Sequence, residues 1–152
     1  MSDTKKAVLY CRLANKVKPK AAIYCRSALA DDCAIKAQEK VLYNFAAGQM
    51  LVVGGTYCDN GESGVTLDRP AFKRMMSAID DSDINCIIVK DIARVSRNPI
   101  QFVEWLTEIL EKNVRVIAVN DGFDSNDTDS DLHKSLAVVL NKAYREELAA
   151  SK

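Results

Sequence analysis

The sequence predicts an α/β sandwich, a largely parallel sheet of four to five strands flanked by helices. Three observations carry that prediction. Short apolar runs alternate with stretches whose apolar residues recur at helical spacing, and they do so along nearly the whole chain. The run Ile84–Val89 is rich in β-branched residues and holds no Gly or Pro, the composition of a strand buried on both faces. Pro70 and Pro99 each open a helical pattern, where the fixed φ of proline suits a first turn.

The first strand has two copies. Lys6-Ala7-Val8-Leu9-Tyr10-Cys11-Arg12-Leu13-Ala14 recurs as Lys20-Ala21-Ala22-Ile23-Tyr24-Cys25-Arg26-Ser27-Ala28, with six of nine positions identical. The repeat is one strand long, too short for a solenoid unit. A helical pattern follows the second copy (Ala34, Ile35, Ala37, Val41, Leu42, Phe45), with Asp31 or Asp32 to cap it, so the second copy is the core strand. The first copy is then an added edge strand or a mobile arm. The chain divides into an N-terminal extension, 1–19, and one domain, 20–150.

Gly48 ends the first helix, and a second strand runs from Met50 through Gly54-Gly55 to Cys58. The long connection 59–70 holds two glycines and no apolar periodicity, which marks it as functional or mobile. The helix opened by Pro70 shows an apolar face of Phe72, Met75, Met76 and Ile79. Asp80-Asp81-Ser82-Asp83 reads as a turn, because acidic charge at a helix C-terminus opposes the macrodipole. After the central strand, Ile100, Val103, Leu106, Ile109 and Leu110 stripe the next helix, with Trp105 against a neighbour. Residues 114–119 form a further strand and 120–129 a polar turn. Asp124 and Asn126 have calcium-loop spacing, but the glycine and closing glutamate of such a loop are missing. Ser130 or Asp131 caps a last helix striped by Leu132, Leu136, Val139, Leu140 and Ala143, and His133 is a surface residue of that helix.

Composition narrows function by exclusion. Twenty-one basic residues balance twenty-one acidic ones, so any binding to nucleic acid must come from a local patch. The five cysteines include no C-x-x-C pair, which favours reduced structural thiols and a cytoplasmic setting. The apolar run before Arg12 is too short for a signal peptide or a membrane span. Neither G-x-G-x-x-G nor G-x-x-x-x-G-K-[ST] occurs, which argues against a nucleotide-binding domain. The local patch follows the central strand: Lys90, Arg94 and Arg97 arrive together, and planar guanidinium forks match the oxygens of a phosphodiester or another oxyanion.

Five motifs in order then resemble one family: Ile23-Tyr24-Cys25-Arg26; Ile35-x-x-Gln38; Asp59-Asn60-Gly61-Glu62-Ser63-Gly64 with Asp68-Arg69-Pro70-x-Phe72; Val89-Lys90-Asp91-Ile92-x-Arg94-Val95-x-Arg97-Asn98; and Asp121-Gly122. Together they resemble the catalytic domain of serine recombinases, the resolvase/invertase and large serine integrase family. The resemblance implies a resolvase-like three-layer sandwich and a site-specific DNA recombinase, with roles in integration and mobile elements. Family members cut DNA through a phosphoserine link, with no metal and no cofactor. It would place Arg26, Arg69, Arg94 and Arg97 around the scissile phosphate. Asp59, Ser63, Lys90 and Arg145 would bind phosphate or support the loop. DNA is the implied partner, with a homodimer or tetramer formed through the C-terminal helix. The family's C-terminal DNA-binding domain does not follow, so weak, salt-sensitive DNA binding is expected.

The nucleophile departs from the family pattern. It should lie two residues after the strand arginine, where this chain has Ala28, and the first copy has Ala14 there. Ser27 is adjacent, but strand side chains alternate, so it faces away from Arg26 unless the chain bends just after it. Ala93, where the family usually carries Asp or Ser, is a second departure. Two readings follow: a recombinase acting through Ser27, or a non-catalytic DNA-binding and oligomerisation relative.

Overall fold

The computed structural model describes residues 19–126, which form one five-stranded sheet with helices on both faces. In chain order the elements are β1 (Lys20–Ser27), α1 (Asp32–Gly48), β2 (Val52–Asn60), α2 (Pro70–Asp81) and β3 (Ile84–Val89). There follow α3 (Ile92–Val95), α4 (Pro99–Glu111), β4 (Arg115–Ala118) and β5 (Phe123–Asp124). The strand order is β2-β1-β3-β4-β5, with every pair parallel except β4 with β5. The predicted α/β class is what forms. The first repeat copy, the last helix, His133 and Arg145 lie outside the described residues.

β1 is the strand that the rest packs around, because its alternation serves two cores. Ala22 and Tyr24 point to one side, into a cluster with Phe72 and Met75 of α2 and Phe102 and Trp105 of α4. Ala21, Ile23 and Cys25 point to the other, against Ile35, Leu42 and Ala46 of α1. Each large apolar side chain so enclosed contributes about 1.5–3 kcal/mol relative to exposure. Ahead of the site, Gly54 is an extra residue in β2: Ala21 pairs with Val53 and Ala22 with Gly55, which makes a bulge.

Several expectations are corrected. Asp80 and Asp81 are helical, and Asp80 Oδ1 holds Lys112 Nζ at 2.6 Å, so a cation at the C-cap of α4 compensates the acidic helix end. The buried stripe of α4 is Phe102, Trp105, Leu106 and Ile109, while Ile100 and Val103 are half-buried and Leu110 is exposed. Phe102 fixes that phase through tilted and edge-on ring contacts with Trp105 and Phe123. On α1, Val41 is exposed and Gln38 takes the buried position. The stretch after β4 turns through residues 119–122, with Gly122 at φ +62, and returns as β5, held by Arg115 against Asp124. A short helix, α3, interrupts the connection after β3; the side chains of Asp91 and Asp121 accept from its Arg94 and Ile92 N–H groups.

Candidate functional site

The site is assembled where β1 outruns β3. Pairing between these strands stops at Tyr24 opposite Val89, which leaves the main chain of Arg26 without a strand partner there. Gln38 takes over: its Oε1 accepts from Arg26 N at 3.1 Å and its Nε2 donates to Arg26 O at 3.0 Å. A polar residue on the buried stripe of α1 was the sequence signal for this clamp.

The Arg26 side chain, fully buried, donates to three main-chain carbonyls: Nε to Arg94 at 3.0 Å, Nη1 to Glu62 at 3.0 Å and Nη2 to Ala93 at 2.7 Å. Arg69 is equally buried. Its Nε donates to Thr66 O at 2.9 Å, its Nη1 to Arg94 O at 2.9 Å and to the Tyr24 hydroxyl at 2.7 Å, and its Nη2 to Val95 O. The same guanidinium lies over the rings of Phe72 and Tyr24, 5.0 and 5.6 Å from their centroids. Both arginines therefore tie the segment 93–95 to the strand and the loop.

Tyr24 passes the connection on. Its hydroxyl donates to Asp59 Oδ2 at 2.8 Å, and Asp59 in turn accepts from Ala71 N at 2.8 Å and Phe72 N at 3.0 Å. Arg69 at the α2 N-cap makes no side-chain cap, so a carboxylate from β2 supplies it, at the end of the helix where the dipole favours negative charge. Burial raises the Tyr24 hydroxyl well above the ordinary tyrosine range, with the neighbouring Arg69 opposing, so it remains a donor.

Arg94 and Arg97 are the outer pair. Arg94 Nη1 donates to Arg26 O at 3.1 Å, and its Nε lies 3.5 Å from Asp91 Oδ1, within ion-pair range but without a hydrogen-bond partner. Arg97 is exposed, anchored through its main-chain N–H to Gly64 O at 3.0 Å. All four arginines converge: the Arg26 guanidinium is pushed below its ordinary value first by burial, then by the charges of Arg69, Arg97 and Arg94. Arg26 and Arg69 carry no exposed surface, so only the outer two present positive charge to solvent.

The remaining predicted residues are placed as follows. The Ser27 hydroxyl donates to Leu29 O, and its position in the alternation is that of Ile23 and Cys25, on the α1 face. Ala28 is exposed at the turn between β1 and α1. Ser63 is exposed and its Oγ accepts from Val65 N at 3.1 Å, a local turn within the loop. Lys90 is half-buried beyond β3, with its carbonyl taken by Asn120 N at 2.7 Å.

Gly64 sets the fit of the loop over this cluster. A Cβ there would meet Arg26 Nη2 at 2.7 Å and Arg97 Cγ at 3.0 Å. Arg26 is pinned by three carbonyls and has no room to yield. Gly64→Ala is therefore expected to destabilise the domain by about 1–3 kcal/mol, read as a lower urea midpoint with unchanged slope. An unaltered midpoint would show that the loop shifts freely.

Among the described residues, no group of three or more His, Cys, Asp or Glu side chains is arranged to hold a metal ion. No described helix is long and apolar enough to cross a membrane. Comparison with solved structures finds the same fold in the N-terminal catalytic domain of TP901-1 integrase, at 24% identity and a TM-score of 0.72, covering 88% of this chain and 99% of that one. A resolvase family site-specific recombinase from Streptococcus pneumoniae matches at 25% identity and a TM-score of 0.71, over 88% of this chain and 93% of that one. The C-terminal catalytic domain of ISC1926 TnpA, an IS607-like serine recombinase, matches at 19% identity and a TM-score of 0.57, over 66% and 69%. Among curated proteins no sequence match is found. The family model described as the resolvase N-terminal domain matches residues 21–151. With that match spanning most of the sequence, and the sheet order and arginine cluster in place, the chain belongs to the resolvase N-terminal domain family of serine recombinases.

Proposed function

We propose that this domain engages the DNA backbone through Arg94 and Arg97 and does not itself form the phosphoserine link. One observation carries the reading: the hydroxyl beside Arg26 belongs to Ser27 and is turned to the Leu29 carbonyl on the α1 face, while the next residue is Ala28. A recombinase acting through Ser27 would have to break that bond and bend β1 out of its ladder with β2, where Ser27 pairs with Asn60. Removing the nucleophile from a comparable hydrolytic machine costs about 10⁶ in rate. The half-buried guanidinium of Arg94 and the exposed guanidinium of Arg97 are the arginine groups of the cluster that reach solvent, where they can meet a phosphate.

The reading is tested with a fluorescein-labelled duplex and with supercoiled plasmid. Anisotropy titrations at low salt are expected to give weak, salt-sensitive binding. Arg97→Ala should lower affinity and reduce the slope of log K against log salt by about 1. Ser27→Ala should leave both unchanged. With plasmid, denaturing gels should show no covalent protein–DNA adduct under conditions in which an active relative forms one. An adduct lost in Ser27→Ala would establish the recombinase reading instead. Self-association through the C-terminal segment belongs to the family likeness, and sedimentation of the same samples tests it.

A further inference from the structure

We infer that Cys25 and Cys58 form a peroxide-sensitive dithiol, which closes to a reversible disulfide between β1 and β2 directly ahead of the arginine cluster. The inference is independent of whether the domain binds DNA.

The fold places the two sulfurs together. Cys25 and Cys58 are paired Cα to Cα in neighbouring parallel strands. Both side chains point to the α1 face, with Cys25 fully buried and Cys58 half-buried. Their thiols are in hydrogen-bond contact, and Cys58 Sγ also donates to Glu39 Oε1 at 3.0 Å. The other described thiols lie elsewhere: Cys33 is exposed at the start of α1, and Cys86 pairs with Ala21 near the start of β1. Neighbouring strands are about 4.8 Å apart, inside the Cα separations that a disulfide spans. A half-buried sulfur at Cys58 admits a reagent as small as hydrogen peroxide.

The surroundings keep the pair reduced at rest. Burial, followed by the hydrogen-bonded carboxylate of Glu39, pushes the Cys58 thiol up to about 12, with Cys25 opposing as a donor and Asp59 adding a smaller push. Cys25 is raised as well, by burial first and then by Cys58 and Glu39, with Arg94 opposing. The thiolate is the nucleophile, so the pair reacts slowly near neutral pH and faster as pH rises.

Oxidation takes two steps. The Cys58 thiolate attacks one peroxide oxygen, the O–O bond breaks, and the hydroxide that leaves takes up the proton Cys58 lost, giving water and a sulfenic acid. The Cys25 sulfur then attacks the Cys58 sulfur. The S–O bond breaks and the departing hydroxide takes the Cys25 proton, giving a second water. Each sulfur gives up one electron, and the peroxide gains two.

Closure acts on the site because of what comes next in both strands. Side chains on one face of neighbouring strands are spaced by about 4.8 Å, whereas a disulfide prefers Cβ atoms about 3.8 Å apart, so the bond draws the strands together by about 1 Å. A bridge formed under such strain is readily reduced again. The adjoining pair is Arg26 opposite Asp59, the arginine that holds the segment 93–95 and the carboxylate that caps α2.

The test treats the folded full chain with hydrogen peroxide, quenches by alkylation and maps disulfides by mass spectrometry. The expected product has lost two hydrogen atoms, links Cys25 to Cys58 within one chain, and returns to the dithiol with dithiothreitol. Cys11→Ser/Cys33→Ser should form the same link at the same rate. Between pH 7 and pH 9 the rate should rise about tenfold per unit. Glu39→Gln removes the charge that holds the proton on Cys58 and should raise the rate about threefold at fixed pH. In the oxidised protein, hydrogen exchange of the Ala71 and Phe72 amides, which Asp59 holds, should speed up about three- to tenfold. Oxidation of Cys58 to a sulfinic acid with Cys25 left free, a link that forms only in urea, or a link through Cys33 overturns the dithiol. Amide exchange unchanged by the bond overturns its coupling to the cluster.

Discussion

Replacing Arg69 with alanine is expected to cost about 3–5 kcal/mol and to unfold the domain near physiological temperature. The side chain is fully buried and donates to the Tyr24 hydroxyl and to the carbonyls of Thr66, Arg94 and Val95. Truncation removes the Arg69 donors from the Thr66 and Val95 carbonyls in a site closed to water, while Arg94 O keeps Arg26 Nε, and each unsatisfied buried acceptor costs about 1–3 kcal/mol. It also opens a void against Phe72 and Tyr24, whose rings the guanidinium covers. Arg69→Lys should recover only part of the loss, because an ammonium cannot reproduce a planar fork reaching separate carbonyls. Arg97→Ala is the matched control: it is exposed, and a change within about 0.5 kcal/mol is expected. Urea unfolding of the three variants measures the contrast, and comparable losses at 69 and 97 would contradict the division into inner and outer arginines.

Restoring a hydroxyl at position 28 should give the largest functional change. Ala28→Ser is expected to raise covalent adduct formation on supercoiled DNA by about 10² or more over the unmodified chain, out of the roughly 10⁶ that a complete nucleophile is worth. The gain is partial because Ala93 lacks the acidic or hydroxyl group usual in the family, and because Arg26 and Arg69 are already engaged with carbonyls. Adding Ala93→Asp should raise it further. A variant that binds DNA as the parent does, yet forms no adduct, would show that the missing hydroxyl is not what silences the site.

The sequence made the class of fold readable because the apolar runs are short, β-branched and separated by helical stripes, and β3 was unmistakable for that reason. It misplaced details that tertiary contacts decide. The end of α2 carries acidic residues that local electrostatics disfavours, and Lys112 at the C-cap of another helix reverses the outcome. The phase of α4 follows Phe102, whose edge-on ring partner Phe123 is remote in sequence. Motif residues were located from the sequence, but their partners were not. Nothing in the spacing says that Arg26 and Arg69 face carbonyls, or that Asp59 caps a helix that starts eleven residues later at Pro70. Those facts depend on chain segments brought together only in the folded state.

The Gln38 amide that stands in for a missing length of β3 has a topological consequence. The chain leaves β1 toward β2 on one side and later returns to lay β3 on the other, so consecutive connections depart in opposite directions between these two strands. Such a reversal opens a crevice at the carboxyl ends of the strands, the place where open α/β sheets receive their ligands. By satisfying the frayed main chain from one flank, Gln38 keeps that crevice from closing into more sheet. The address of the arginine cluster is thus set by how the chain winds, while Asp59, Gly64 and Arg69 fasten the following connection to it.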